Sequence, residues 1–268
     1  VHFHSKVGAD YLGDAVISML QREGLKTDHF VRSPNYNGAL VRNRGQEEKL
    51  DVTYLRKCAA ASTFQPNDID EDVLAKSKWL HTTGITAALS ESARNTVAHA
   101  MDIARKHGVR TSFDLNIRRK LWSEEQARKV LEPIARDVDL LIGGEDEYCA
   151  IFGTSDPQEA LRIAASRNNE LVIMTHGPEQ LTYAVAGEIT VVHPPQVKSV
   201  DPVGSGDAFT SGVISGLLGG LTFSDAISQG TISGARVASQ FGDWAGLPSG
   251  KAGITDQSFI DEILGKAS

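Results

Sequence analysis

A chain of 268 residues, 41% hydrophobic and 23% charged, is long enough to bury a sizeable core as one large α/β domain or two smaller ones. A net charge of −7 gives no general attraction for nucleic acid or an anionic membrane, and no apolar run reaches the length of a membrane span. Cys58 and Cys149 stand in no C-x-x-C pair, which argues against a disulfide framework or structural zinc, suits a cytoplasmic protein and predicts two core thiols.

The opening "VHFHSKVGAD" lacks a charged-then-apolar signal layout and reads as a strand inside a fold, so upstream residues are expected. Residues 9–25 pattern as an amphipathic helix, with Tyr11, Leu12, Ala15, Val16, Met19 and Leu20 on one side and Gly24 closing it. Three extended pieces follow, "DHFVRS", "GALVRNRG" and "KLDVTYLR", and predict a small β insertion over residues 27–57. From "KWLHTTGI" onward strands and helices alternate: "ESARNTVAHAMDIARKHG", "VRTSFDLN", "SEEQARKVLEPIARDV" and "DLLIGG", then a helix over 156–166. Ser123 and Gln126 form a capping box on the helix that begins at "SEEQ". A strand "LVIMTHG", a hairpin "LTYAVAGEITVVHP" and helices after 204 and over 223–241 complete the chain. Such βαβ repetition predicts a single α/β domain: a mostly parallel central sheet, helices on both faces, and a β lid. Ligands of such sheets bind beyond the carboxyl ends of the strands.

"DPVGSGDAFTSGVISGLLGG", residues 201–220, turns an extended segment into an apolar helix through a Gly-Ser-Gly run. Glycines admit positive φ and close approach of a ligand, first-turn amides point outward, and the helix dipole favours negative charge there. A phosphate would lie on the amides of Gly204, Ser205 and Gly206, with Asp207 beside it as the acceptor of a proton from an attacking hydroxyl. Aspartate is also a good residue for starting a helix, so this stretch alone admits a purely structural role.

Other strand ends carry polar apparatus. "TSFDLNIRRKLW" sets Asp114, Asn116 and Arg118 at alternate positions, hence on one side of an extended segment, and Arg118 suits a carboxylate or phosphate. A solvated strand end with internal capping bonds is the structural alternative. "LLIGGEDEYCAIFG" breaks a buried strand at Gly143 and Gly144 before three acids; in a nucleotide site Glu147 would steer hydrated Mg²⁺. "VIMTHGPEQ" adds Thr175 and Gly177 on a glycine loop.

"DPVGSGDAF" resembles the D-T-x-G-A-G-D-x-F signature of the PfkB, or ribokinase-like, carbohydrate kinases, and "DLNIRRKLW" resembles their D-x-N-x-R segment. "TYLRKCAAAS", "HTTGIT" and "GDWAGLP" are most similar to the branch acting on the sugar acid 2-keto-3-deoxygluconate. The resemblance implies a three-layer α/β/α ribokinase-like fold and transfer of the γ-phosphoryl group of ATP, with Mg²⁺, to a sugar hydroxyl. By position it implies Asp207 as base, Gly204 to Asp207 as anion hole, and Tyr54, Arg56, Ile85, Arg118, Asp207 and Asp243 around the sugar acid. Asn116, Ile117, Arg118, Gly144, the loop from Thr175 to Leu181 and Thr231 would border the nucleotide. A monovalent cation, K⁺, is a further expectation near Asp201, and pairing of lids is a route to a homo-oligomer.

The chain departs from the family pattern in places. Gly144 stands where Asn or Ser is usual, Gln180 replaces a glycine of the nucleotide loop, Thr231 replaces an Asn, and Leu40 replaces a lid Tyr. The family opens with a strand and a Gly-Gly and Asn sugar-binding segment, roughly forty to fifty residues that this sequence lacks; either they precede Val1 or part of the sugar site has been lost. Alternatives left open are another acceptor such as fructose or ribose, and a non-catalytic sugar or nucleotide binder.

Overall fold

The computed structural model describes residues 1–44 and 50–247. Chain packing divides it into two compact units, Val1–Leu141 with Asp146–Asn169, and Ile142–Glu145 with Glu170–Ser268.

The first unit opens with β1 (Ser5–Gly8), α1 (Tyr11–Arg22) and β2 (Phe30–Ser33). Asp10 starts α1: one carboxylate oxygen accepts from the Gly13 amide at 2.8 Å and the other from the Asn37 amide at 3.3 Å. β2 pairs in parallel with β1, Ser5 opposite Phe30, so "DHFVRS" does not join the two extended pieces that follow it. Those two, β3 (Ala39–Arg44) and β4 (Leu50–Leu55), form an antiparallel ribbon of their own, with Leu40 opposite Tyr54. Leu40, Val41 and Leu55 are exposed on it, as on a lid.

α2 (Glu71–Ala75), β5 (Trp79–Thr83), α3 (Gly84–Leu89) and α4 (Glu91–His107) come next. α4 runs from the Ser90 hydroxyl, which accepts from the Ala93 amide at 3.0 Å, to Gly108, whose φ of 66° ends it. Its inner face buries Val97, Ala100, Met101 and Ala104. Ala100 and Ile103 pack with Leu74 of α2 and Leu80 of β5. β6 (Arg110–Asp114) pairs in parallel with β5. α5 (Glu124–Ala135) carries the expected capping box, with Ser123 and Gln126 each accepting from the other's amide. β7 (Leu140–Gly144) leads into α6 (Glu145–Phe152), and α7 (Pro157–Ala165) closes this part of the chain.

In the second unit β8 (Leu171–His176), β9 (Gln180–Val185) and β10 (Glu188–Val192) meander antiparallel. α8 (Ser205–Leu218) then packs on α9 (Phe223–Ala238) through small residues. A Cβ on Gly212 would lie 2.8 Å from the Cα of Gly230, and one on Gly216 3.0 Å from the Cα of Ala226, so the helices touch backbone to backbone. Strands β5 to β10 belong to one mixed sheet, in the order β10-β9-β8-β7-β6-β5.

Neither cysteine is in a disulfide. Cys58 is a correction to the expected core thiol: it is exposed, in the turn after β4, at a φ of 56°. No helix among the described residues is long and apolar enough to cross a membrane.

Candidate active site

The Gly-Ser-Gly run begins α8 as its chemistry requires. Gly204 is the residue before the first helical position and has a φ of 83°, and a Cβ there would lie 2.2 Å from the carbonyl oxygen of Asp243. Only glycine meets both conditions, so Gly204 fixes the turn and brings the Asp243 main chain against it. Asp201, 7% exposed, supports the approach by accepting from the Val203 amide at 3.2 Å.

Gly206 is the opposite case. A Cβ on it would meet nothing within 4 Å, so open space stands over the first turn of α8, with Asp207 exposed beside it. Ser205 differs from its expected role: its amide donates to the Pro202 carbonyl at 3.2 Å and its hydroxyl to the same oxygen at 2.7 Å. Ser205 therefore closes the turn. The Gly206 amide remains as an outward donor of the kind a helix start supplies.

The rest of the second unit's candidates lie at strand ends and on α9. The Thr175 hydroxyl donates to the Gly143 carbonyl at 3.3 Å, joining the ends of β8 and β7 next to Gly144. Gly177, at a φ of 66°, turns the chain from β8 towards β9. His176 bonds to Glu145, with its other ring nitrogen 3.2 Å from the Thr182 hydroxyl; sequence reading missed this pair because 31 residues separate its members. Thr231 is buried in α9 and spends its hydroxyl on the Ser228 carbonyl at 2.7 Å. One helical turn on, a Cβ on Gly234 would reach 3.0 Å from the Ser205 carbonyl, so this face of α9 backs the start of α8.

The first unit gathers its candidates at the carboxyl end of β6. Asn116 takes a φ of 36°, in the left-handed region that asparagine tolerates better than most residues. Its amide donates to Asp114 at 3.2 Å, and the Ile117 amide donates to Glu147 at 2.6 Å. Gly84 closes in from α3: a Cβ on it would lie 2.0 Å from the Leu115 carbonyl oxygen, which brings half-buried Ile85 to this turn. Arg118 is half-buried, and its guanidinium has no carboxylate partner among the described residues. On the lid, the Arg56 guanidinium lies 3.7 Å from the centre of the Tyr54 ring, and the Lys120 ammonium 5.8 Å from it. Lys120, which sequence reading passed over, ties the lid tyrosine to the segment that carries Arg118.

Residues 1–249 match the family described as pfkB family carbohydrate kinase. The chain belongs to that family. A 2-dehydro-3-deoxygluconokinase of Bacillus subtilis (strain 168) is 32% identical over 249 residues, covering 91% of this chain and 77% of the relative. Among solved structures, a 2-dehydro-3-deoxygluconokinase of Thermotoga maritima superposes with a TM-score of 0.84 at 28% identity, over 92% of this chain and 80% of that one. A fructokinase double mutant of Vibrio cholerae O395, in fructose-, ADP- and potassium-bound form, gives 0.82 at 25% identity, over 92% and 81%. The fold is ribokinase-like, and the chain is an ATP-dependent carbohydrate kinase.

Proposed function

We propose that this kinase transfers the γ-phosphoryl group of ATP to a hydroxyl of 2-dehydro-3-deoxygluconate, the sugar acid also called 2-keto-3-deoxygluconate. The start of α8 carries this reading: a glycine-built turn, open space over Gly206, and an exposed carboxylate on the same helical turn. Asp207 accepts the proton of the attacking hydroxyl, which makes the oxygen a better nucleophile as the new P–O bond forms. The outward Gly206 amide, with the positive end of the helix dipole, stabilises charge that grows on the transferring phosphoryl oxygens.

Arg118 supports an acidic acceptor. A half-buried guanidinium without a protein carboxylate beside it suits an incoming one, which its fork binds through two oxygens. Tyr54, Arg56, Ile85 and Asp243 complete the proposed sugar set, and Asn116, Ile117, Gly144, Thr175, Gly177 and Thr231 the nucleotide set. Thr231 would act there through its place in α9, since its hydroxyl is already bonded.

Among the described residues no group of three or more histidine, cysteine, aspartate or glutamate side chains is arranged to hold a metal. Mg²⁺ would arrive on the nucleotide with most of its water, steered by Glu147 at a distance. When bound, it would neutralise negative charge on the nucleotide's phosphates. The Vibrio fructokinase structure is potassium-bound, and for this chain we propose a monovalent cation near Asp201. Rates in K⁺ that match those in Na⁺ would dismiss it.

A panel of acceptors with purified protein and ATP tests the substrate. 2-Dehydro-3-deoxygluconate is expected to give the highest kcat/KM. Faster turnover of fructose, ribose or another neutral sugar would reject the sugar-acid assignment and leave the kinase.

A further inference from the structure

We infer that Asp114 and Glu147 are positioning residues, a pair of carboxylates that lock the turn after β6 by accepting successive main-chain amides and so set where Asn116 and Arg118 present their side chains. The inference rests on the nucleotide and sugar roles proposed above for residues 116–118. It assigns to Glu147 a second task beside steering Mg²⁺.

The turn is held at three points on two consecutive peptide groups. Leu115, fully buried, has its carbonyl pressed against Gly84 so closely that no side chain fits between them. The Asn116 amide is fixed by Asp114 at 3.2 Å, a bond made from within the turn. The Ile117 amide is fixed from outside it, by Glu147 on the first turn of α6 at 2.6 Å. The same turn of α6 takes hold again two residues later, where Asp146 accepts from Arg119 at 3.1 Å. Asn116 sits inside this clamp at a φ of 36°. An asparagine in the left-handed region reverts to ordinary φ once its neighbours release it, and a changed φ swings every atom that follows. Arg118 is two residues on. A turn pinned at 115, 116 and 117 gives its charge a fixed origin, which a clamp on side chains alone would not do.

Steering Mg²⁺ needs the charge of Glu147, whereas holding the Ile117 amide needs only an oxygen acceptor, and variants separate the two. Glu147→Gln keeps a carbonyl oxygen without the charge; Glu147→Leu removes both; Asp114→Ala removes the other acceptor. The decisive measurement is ADP affinity by calorimetry in excess EDTA, where no divalent ion is present. Glu147→Leu and Asp114→Ala are each expected to weaken metal-free ADP binding by about tenfold, and together by less than the product, since they release the same turn. Glu147→Gln is expected to weaken it by no more than about threefold, while still lowering turnover with Mg²⁺ because the charge is gone.

Metal-free ADP affinity unaltered in both Glu147→Leu and Asp114→Ala would overturn the inference. So would Glu147→Gln weakening metal-free ADP binding as much as Glu147→Leu does. Circular dichroism of each variant checks that it is folded, and Asp114→Ala still decides if Glu147→Leu is not. Absence of phosphoryl transfer by the unaltered protein to every acceptor would defeat the functional proposal alone, because the calorimetry needs no turnover.

Discussion

Asp207 is one of many acids in this chain, and its neighbours give it a distinct position. Asp207→Asn keeps the size and the helix start while removing the base, so kcat is expected to fall by about 10²- to 10⁴-fold with little change in melting temperature. Turnover within threefold of the unaltered protein would remove Asp207 from the chemistry. The two glycines before it are expected to behave oppositely. Gly204→Ala forces a side chain into positive φ and against the Asp243 carbonyl, so both stability, by about 1–3 kcal/mol, and activity should drop. Gly206→Ala meets empty space in a helix, where alanine is favoured by up to about 1 kcal/mol, so the melting temperature should hold or rise. Its kcat/KM should nonetheless fall by more than tenfold, because the methyl group occupies the volume proposed for phosphate. Thermal melts and steady-state kinetics on this pair check both directions.

At the scale of elements, the close approach of α8 and α9 is the most exposed to test. A Cβ on Gly230 would lie 2.6 Å from a Val213 methyl carbon and 2.8 Å from the Phe209 carbonyl oxygen. Gly230→Ala is therefore expected to destabilise by about 1–3 kcal/mol despite alanine's better helix propensity, measurable as a lower midpoint in urea. The helices were legible in the sequence because their signals are local: Ser90 to Gly108 and the Ser123–Gln126 box mark α4 and the start of α5 without reference to anything distant. The partner of "DHFVRS" was not, since pairing of Phe30 with Ser5 is a choice among strands that each piece could satisfy alone. The site divides along the same line. Asp207 and the glycines before it could be read from one heptapeptide, whereas the grip of Glu147 on Ile117, 30 residues apart in sequence, and the contact of Gly204 with Asp243 exist only in the fold. Ser205 shows a subtler failure: the sequence located the turn and could not say which of its amides the turn would consume.

At the scale of the whole molecule, one histidine gives stability a pH dependence of known sign. Burial pushes the His81 imidazole on β5 down to about 4 from an ordinary 6.5, and its Nδ1 lies 2.8 Å from the Ser112 hydroxyl, although the residue keeps exposed surface. The folded protein holds this ring neutral where the unfolded chain protonates it. Its contribution is therefore complete above pH 6.5 and is lost progressively as pH falls towards 4. His81→Asn should flatten the decline of melting temperature across that window, with the exposed surface keeping the effect modest; an identical slope in both proteins would refute the assignment. The path of the chain matters at this scale as well. Ile142–Glu145 belongs to the second compact unit while the residues on either side belong to the first, and Thr175 bonds to Gly143 within that arrangement. A chimaera spliced between relatives at position 170 would inherit its carboxyl-terminal unit with a tetrapeptide from the other parent. Recombination of this scaffold is thus governed less by the obvious junction than by four residues lying well upstream of it.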